Sequence, residues 1–182
     1  MSLLVVGITG ASGSIYGHRL IHYLKKLDHE VHLICTDAGK QVSDYEKVTY
    51  GFELADKVYP VNDLFSAVAS GSFVYDGLVI VPCSMGTLGK IANGVGDNLL
   101  TRAADVRLKE RKSLIIVPRE FPLNAIHLEN MQKVNAAGAL ILPAAPHFYN
   151  HPKTIEDLVD TVIARIFDQL NISHSIGKRW NK

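Results

Sequence analysis

The sequence predicts a doubly wound α/β domain, a parallel sheet of about five strands with flanking helices, and three observations carry that reading. Short β-branched runs recur with little apolar and polar alternation, the signature of strands covered on both faces. Helical periodicity fills the segments between them. A glycine-rich turn, "GITGASGSIYG" from Gly7 to Gly17, joins the first run to the first helix. With 182 residues, 47% of them hydrophobic, the chain is the size of one domain with a sizeable core.

Taken in order, "LLVVGIT" (3–9) is the first strand, and helical spacing follows over 14–27. The second strand is "EVHLIC" (30–35), with a helix over roughly 38–50 and a shorter helical pattern at 64–70. "GLVIVP" (77–82) is the third strand, and helices over 85–93 and 97–111 lead to the fourth, "SLIIVP" (113–118). A helix over 122–136 precedes the fifth strand, "ALILP" (139–143).

The helix over 154–171 has the clearest pattern. Thr154 is its N-cap, Glu156 and Asp157 complement the dipole in its first turn, and residues 155, 158, 159, 162, 163, 166, 167 and 170 form an apolar stripe. Residues 1–171 are therefore expected to form the domain. Residues 172–182, polar apart from Ile172, Ile176 and Trp180, form a C-terminal tail that orders only by docking.

Nineteen basic and eighteen acidic residues leave a formal charge of +1, with no block of like charge, which argues against a nucleic-acid surface. "MSLLVVGITGAS" lacks a basic n-region and a long h-region, and no apolar run approaches the length that spans a bilayer. A cytoplasmic protein without membrane or nucleic-acid partners is expected. Cys35 and Cys83, at the ends of predicted buried strands, read as reduced thiols.

In an open parallel sheet ligands bind outside the carboxyl ends of the strands, which directs attention to Thr9–Ser14, Cys35–Asp37, Pro82–Thr87, Pro118–Pro122 and Pro143–Tyr149. The first of these invites a nicotinamide-dinucleotide reading, with Asp37 holding a ribose. The spacing opposes it: Gly10 and Gly13 fit G-x-x-G, but Ile15 and Tyr16 stand where a third glycine is needed, and glycine returns only at Gly17. The one Tyr-x-x-x-Lys, Tyr149 to Lys153, is broken by Pro152. What remains is a turn at Gly10 with the hydroxyls of Ser12 and Ser14 beside helix-start amides, where a mononucleotide phosphate fits. A plain serine-capped turn has the same signature.

Ser84 and Thr87 direct hydroxyls and amides into the same crevice from a second strand end, so the two loops make a clamp. On the helix that follows, Arg102, Asp105 and Lys109 share a face, whereas Arg107, Glu110 and Arg111 read as a solvated, salt-bridged stripe. Arg119 and Glu120 stand at a strand's carboxyl end, and Arg165 flanks the apolar stripe of the last helix. Lys109, Arg119 and Arg165, with the Tyr149 hydroxyl, can bind a phosphate-bearing second substrate if they converge. No histidine pair has metal spacing: His18 and His22 are i, i+4 without a third ligand, and His147 and His151 flank Tyr149, so helix-surface or loop roles are expected.

"GITGASGSIYG", "PCSMGTLGKIANGVGDNLLTRAADVRLKERK", "REFPLNAIHLENM", "PAAPHFYNHP" and "DLVDTVIARIFDQL", with "KRW" near the end, together resemble the UbiX/Pad family of flavin prenyltransferases, formerly described as aromatic-acid decarboxylase subunits. The likeness runs nearly end to end. It implies a single-domain Rossmann-like, flavodoxin-like fold that assembles into a homododecamer with FMN near subunit interfaces. The implied reaction moves a dimethylallyl group from dimethylallyl phosphate to N5 and C6 of reduced FMN without a metal. The prenylated FMN then serves a UbiD-type reversible decarboxylase.

Carried over position by position, Gly10, Ala11, Ser12, Thr36, Ser84, Met85, Gly86, Thr87 and Arg119 match the flavin-binding positions, with Arg102 grouped beside them. Tyr149 and Arg165 match the positions that bind dimethylallyl phosphate. Lys109, Arg119 and Glu120 complete the phosphate pocket, and Glu46 matches an acidic residue that manages protons around flavin N5. Trp180 matches a C-terminal aromatic that covers the site. Ser12, Glu46, Lys109, Arg119, Glu120, Tyr149, Arg165 and Trp180 are thus the implied catalytic set.

Two rivals are weaker. Flavin-dependent cysteine decarboxylases of the same superfamily usually carry "PASANT" and "PxMNxxMW", where this chain has "PCSMGT" and "PLNAIHLENM". A non-catalytic flavin carrier has no need of Glu46, Lys109, Glu120, Tyr149 and Arg165 together.

Overall fold

Leu3–Ile8 (β1), Glu30–Cys35 (β2), Gly77–Cys83 (β4) and Leu114–Pro118 (β5) are buried at nearly every position, as strands covered on both faces must be. In the computed structural model, which describes residues 1–177, 179 and 180, they form one parallel sheet with Lys57–Tyr59 (β3) and Leu140–Ile141 (β6) at its edges. The order is β3-β2-β1-β4-β5-β6. Chain direction therefore reverses its walk across the sheet between β1 and β4, and the crevice at that switch point is where such sheets take ligands.

Six strands replace the expected five. The addition, β3, has three residues, of which Lys57 and Val58 are exposed, so it has neither the length nor the burial pattern to announce itself. Without it the order reduces to the flavodoxin-type walk, and with it to the dinucleotide-fold walk; the switch point is the same in both.

The helices are Ile15–Lys26 (α1), Asp37–Tyr45 (α2), Gly51–Leu54 (α3), Met85–Ala92 (α4), Leu99–Lys109 (α5), Ala125–Ala136 (α6) and Ile155–Gln169 (α7). The helix expected over 38–50 is broken into α2 and α3, because the chain leaves the helical path after Glu46 and Lys47 takes a left-handed φ of 57°. The pattern at 64–70 yields only a 3-10 turn, Ala67–Ala69. There the Asp63 carboxylate accepts from the Phe65 N–H and the Ser66 hydroxyl and competes with a helical path.

One face of the sheet is covered by α1 and α7 through Leu20, Ile21, Leu24, Ile163, Ile166 and Phe167. The other is covered by α4, α5 and α6 through Leu88, Ile91, Leu99, Leu100, Ala103 and Val134. The Arg19 guanidinium spans both carboxylate oxygens of Asp160 at 2.5 and 2.6 Å, and the Tyr23 hydroxyl donates to the same group, which clamps α1 to α7. Thr154 caps α7 in a reciprocal box with Asp157, but Ile155, at the edge of the expected stripe, is exposed.

Beyond α7, Asp168 accepts from Arg179 at 2.7 Å and pairs with His174 at 3.1 Å, and Ile176 is buried against the α1/α7 core. Lys178, Asn181 and Lys182 of the expected tail lie outside the described residues. Cys35 and Cys83 are free and buried, and burial pushes both thiols up to about 12. No helix among the described residues is long and apolar enough to cross a membrane.

Candidate active site

Thr9, the last residue before the glycine turn, joins the two loops of the crevice. Its buried hydroxyl donates to the Pro82 carbonyl at 2.8 Å and accepts the Ser84 N–H at 2.8 Å, while its own N–H donates to Pro82 at 3.2 Å. The β1–α1 and β4–α4 loops are therefore one unit. Sequence marks Thr9 only by its place at a strand end, because its partners stand more than 70 residues away.

Two helix starts open on this edge. Ser84 caps α4 by accepting from the Thr87 N–H at 3.3 Å and also donates to the Thr87 hydroxyl at 3.1 Å. Thr36 caps α2 by accepting from the Gly39 N–H at 3.0 Å. Met85 packs on the second core, and the exposed Gly86 has no atom within 4 Å of where a Cβ would stand. Gly10 is held for the opposite reason: a Cβ there would lie 2.6 Å from that of Ala38, at the start of α2. Ala11 is buried beneath the turn, and Ser12 is exposed.

The start of α1 corrects the phosphate reading of the first turn. Its anion is internal: Glu46 Oε1 accepts the Gly13 N–H at 2.9 Å, and Oε2 accepts the Ser14 N–H at 2.8 Å and the Ser14 hydroxyl at 2.7 Å. Burial pushes the Glu46 carboxyl up, but the Ser14 hydroxyl and the Gly13 and Ser14 amides outweigh it and hold the group below the usual carboxylate range. Ser14 is fully buried, so its hydroxyl serves Glu46. The amides of Gly13 and Ser14 are thus occupied within the chain, whereas Thr36 and Ser84 cap α2 and α4 with their own hydroxyls.

Arg119, at the end of β5, reaches across the edge. Its Nε donates to the Ser12 carbonyl at 2.8 Å and its N–H to the Cys83 carbonyl at 3.2 Å. Both Nη groups have no hydrogen-bond partner among the described residues. Glu120 is exposed and accepts the N–H of Phe121 at 3.0 Å.

Tyr149, Arg165 and Trp180 line a second cavity of about 160 Å³ together with His147 and Asp168. The Tyr149 ring stacks on His147 with centroids 4.1 Å apart and planes 4° from parallel, and it meets Trp180 edge-on at 4.9 Å. Asp168 holds Arg165 Nη1 at 2.6 Å. His147 lies in a loop, as the sequence leads one to expect, and from there it lines the cavity, a role hinted at only by its place two residues before Tyr149.

Convergence of Lys109 with Arg119 and Arg165 is not met within one chain. Arg102, in the first turns of α5, pairs with Asp105 at 2.5 Å. Lys109, seven residues on, is about 10 Å further along the axis, where it pairs with Glu110 beside Gly71. The helix runs against β5, so its last residue stands at the opposite end of the sheet from Arg119. The site residues thus fall into three groups: the switch-point edge, the Tyr149 cavity, and the exposed side of α5.

His18 is also corrected. It is fully buried, not on a helix surface, because α3 folds back over α1. Among the described residues no three His, Cys, Asp or Glu side chains are arranged to hold a metal ion.

Residues 2–167 match the family model described as Flavoprotein. The flavin prenyltransferase LpdB of Lactiplantibacillus plantarum is 48% identical over 184 residues, covering 99% of this chain and 98% of that protein. A crystal structure of AnUbiX (PadA1) in complex with FMN and dimethylallyl pyrophosphate superposes with a TM-score of 0.96 at 41% identity, over 100% of this chain and 98% of that one. A dodecameric FMN-dependent UbiX-like decarboxylase from Escherichia coli O157:H7 gives 0.95 at 41% identity, over 99% of this chain and 100% of that one. By this extent of likeness across its whole length, the chain belongs to the flavoprotein family, as one of its UbiX-type flavin prenyltransferases.

Proposed function

We propose that this protein transfers a dimethylallyl group from dimethylallyl phosphate to reduced FMN, at N5 and C6. One observation carries the reading. An edge of helix-start amides, hydroxyls and a guanidinium, suited to a flavin phosphate, occurs in the same chain as a cavity that pairs aromatic faces with a cation.

The edge fits FMN. Thr36, Ser84 and Thr87 offer capped helix starts, Arg119 offers its free Nη groups, and the open space over Gly86 is a cradle that any side chain would fill. Gly10, Ala11, Ser12 and Met85 shape its floor and rim. Reduced FMN supplies the nucleophilic N5 and C6. Tyr149 and Arg165 bind the donor: as the allylic C–O bond breaks, its electron pair leaves with phosphate, which Arg165 stabilises, while the Tyr149 and Trp180 rings face allyl-cation character without trapping it. Glu46 holds the Gly13–Ser14 turn beside Ser12, which supports its assignment to proton exchange in this reading, and Glu120 lies at the same edge. The bond at N5 replaces its proton, which leaves with phosphate, and the bond at C6 is offset by one proton gained at the prenyl double bond and one lost from C6, so the flavin gains C5H8.

Lys109 and Arg102 act on the site of a neighbouring copy. Phe121, Leu123, Ile126 and Leu128, all exposed at the start of α6, give the chain an apolar surface suited to self-association. A homododecamer like that of the Escherichia coli relative is the assembly proposed. Residues 1–171 form the flavin domain and 172–182 a tail docked over the site. The protein works in the cytoplasm, without membrane or nucleic-acid partners, and hands prenylated FMN to a UbiD-type decarboxylase.

The test is anaerobic incubation of the purified protein with reduced FMN and dimethylallyl phosphate, followed by mass spectrometry of the flavin. A gain of one C5H8 unit is expected. Unmodified FMN, with both the phosphate and the pyrophosphate donor, overturns the reading.

A further inference from the structure

His18 lies one helical turn beyond Ser14 on α1 and is fully buried. Its Nδ1 accepts the Gly51 N–H at 3.0 Å, and because a backbone N–H can only donate, the ring proton of the neutral imidazole is on Nε2. Nε2 then donates to the buried hydroxyl of Ser43 at 3.2 Å. Tyr50 and Phe52 pack on the ring, with centroids 5.4 and 4.9 Å away. Ser43 stands three residues before Glu46 and Gly51 five residues after it. One imidazole thus fastens both ends of the bend that presents Glu46.

We infer that His18 is a positioning residue for Glu46: by holding Ser43 and Gly51 it fixes the bend between α2 and α3, and so fixes the carboxylate that anchors the Gly13–Ser14 turn. Backbone bonds close the bend on itself, the Val48 N–H donating to the Ser43 carbonyl at 2.9 Å, and the imidazole is what ties it to α1. The bend's backbone is left-handed at Lys47, and Tyr45 beside it is largely exposed, so local burial does not hold it. Apart from Glu46 itself, the polar groups facing the ring are Ser43 from α2 and Tyr50 from the α2–α3 connection. The inference rests on the proposed reaction only for its consequence in catalysis; the anchoring itself is a property of the free protein.

His18→Leu keeps the ring's apolar packing and removes both hydrogen bonds, and Ser43→Ala removes only one. Hydrogen exchange of the free protein, read by mass spectrometry over residues 10–17, is expected to accelerate in both variants, more in His18→Leu, with far-ultraviolet dichroism unchanged. The rate of flavin prenylation is expected to fall about tenfold in His18→Leu with little change in donor KM, as for a displaced active-site group. Adding His18→Leu to Glu46→Gln is expected to cost no further rate. Unaltered exchange over 10–17 in both variants overturns the inference, as does a rate loss that multiplies with that of Glu46→Gln. If neither wild type nor variant prenylates flavin, the exchange result still decides the anchoring, and the proposed reaction alone fails.

Discussion

The Ser84 N–H donates to the Thr9 hydroxyl at 2.8 Å across 75 residues of sequence, and this bond makes the two ligand loops one rigid edge. The hydroxyl also donates to Pro82, so replacing it strands the Ser84 N–H and leaves the Pro82 carbonyl with the Thr9 N–H at 3.2 Å alone. Thr9→Val should cost about 1–3 kcal/mol in urea unfolding, the range for a buried group left unpaired. It should also weaken FMN binding in a fluorescence titration, while Thr9→Ser retains both properties. Equal FMN affinity in Thr9→Val and wild type would separate the stitch from the binding edge.

Gly86 allows fold stability and ligand space to be pulled apart. It lies in the first turn of α4 with open space where a Cβ would go, so Gly86→Ala meets no clash in the free protein. Loss of glycine's freedom in the unfolded chain should raise stability by about 0.4–1 kcal/mol. If the space belongs to flavin, the same methyl group lowers FMN affinity. A higher melting temperature with weaker FMN binding is the expected pair of results; higher stability with unchanged binding would place the flavin elsewhere.

His18 and Glu46 divide the acid limb of stability between them. Burial pushes the His18 imidazole down to about 4, with Glu46 opposing, whereas the free group titrates near 6.5. Between those values the unfolded chain binds the extra proton, so stability is full above about pH 6.5 and is lost as pH falls toward 4. A gap of this size corresponds to about 3 kcal/mol. Glu46 has its folded value lowered, so its contribution is present above the ordinary carboxylate range and is lost only at lower pH. Urea unfolding from pH 7 to 3.5 should show the first loss in wild type and Glu46→Gln but not in His18→Leu. The same slope in all three would assign the proton uptake to other groups.

Much of this architecture is legible in the chain. The four long strands, their helices, the Ser84 cap and the Thr154 box follow from local pattern, because each is decided by residues within a turn or two of one another. Thr36 was read as a flavin position by resemblance, and the structure adds that it caps α2. Less legible are features whose cause is distant: the third strand borrows its pairing from β2, Ser14 spends its hydroxyl on a carboxylate 32 residues away, and His18 is buried only because α3 returns over it. The candidate site residues rest on motif and resemblance rather than on periodicity. Part of their separation was legible, since a helix over 97–111 that feeds a strand over 113–118 already puts Lys109 and Arg119 at opposite ends of that strand, whereas the pairing of Lys109 with Glu110 beside Gly71 depends on distant chain.

That separation has a decisive test. Arg165 lines the Tyr149 cavity, and Lys109 projects from the far side of the same chain, so each complete site should draw the two residues from different copies. Arg165→Ala should cut donor kcat/KM by about ten- to a hundredfold, the loss expected for a charge-assisted hydrogen bond, while FMN binding changes little. Lys109→Ala should act in the same way. Unfolding the two weakened variants together and refolding them as a mixture then gives assemblies in which roughly a quarter of the sites pair an intact Arg165 with an intact Lys109 from a neighbour, if copies mix at random. Recovery of about that share of wild-type prenylation is the expected outcome. A mixture no more active than its two components would mean that Lys109 serves its own chain's site or none.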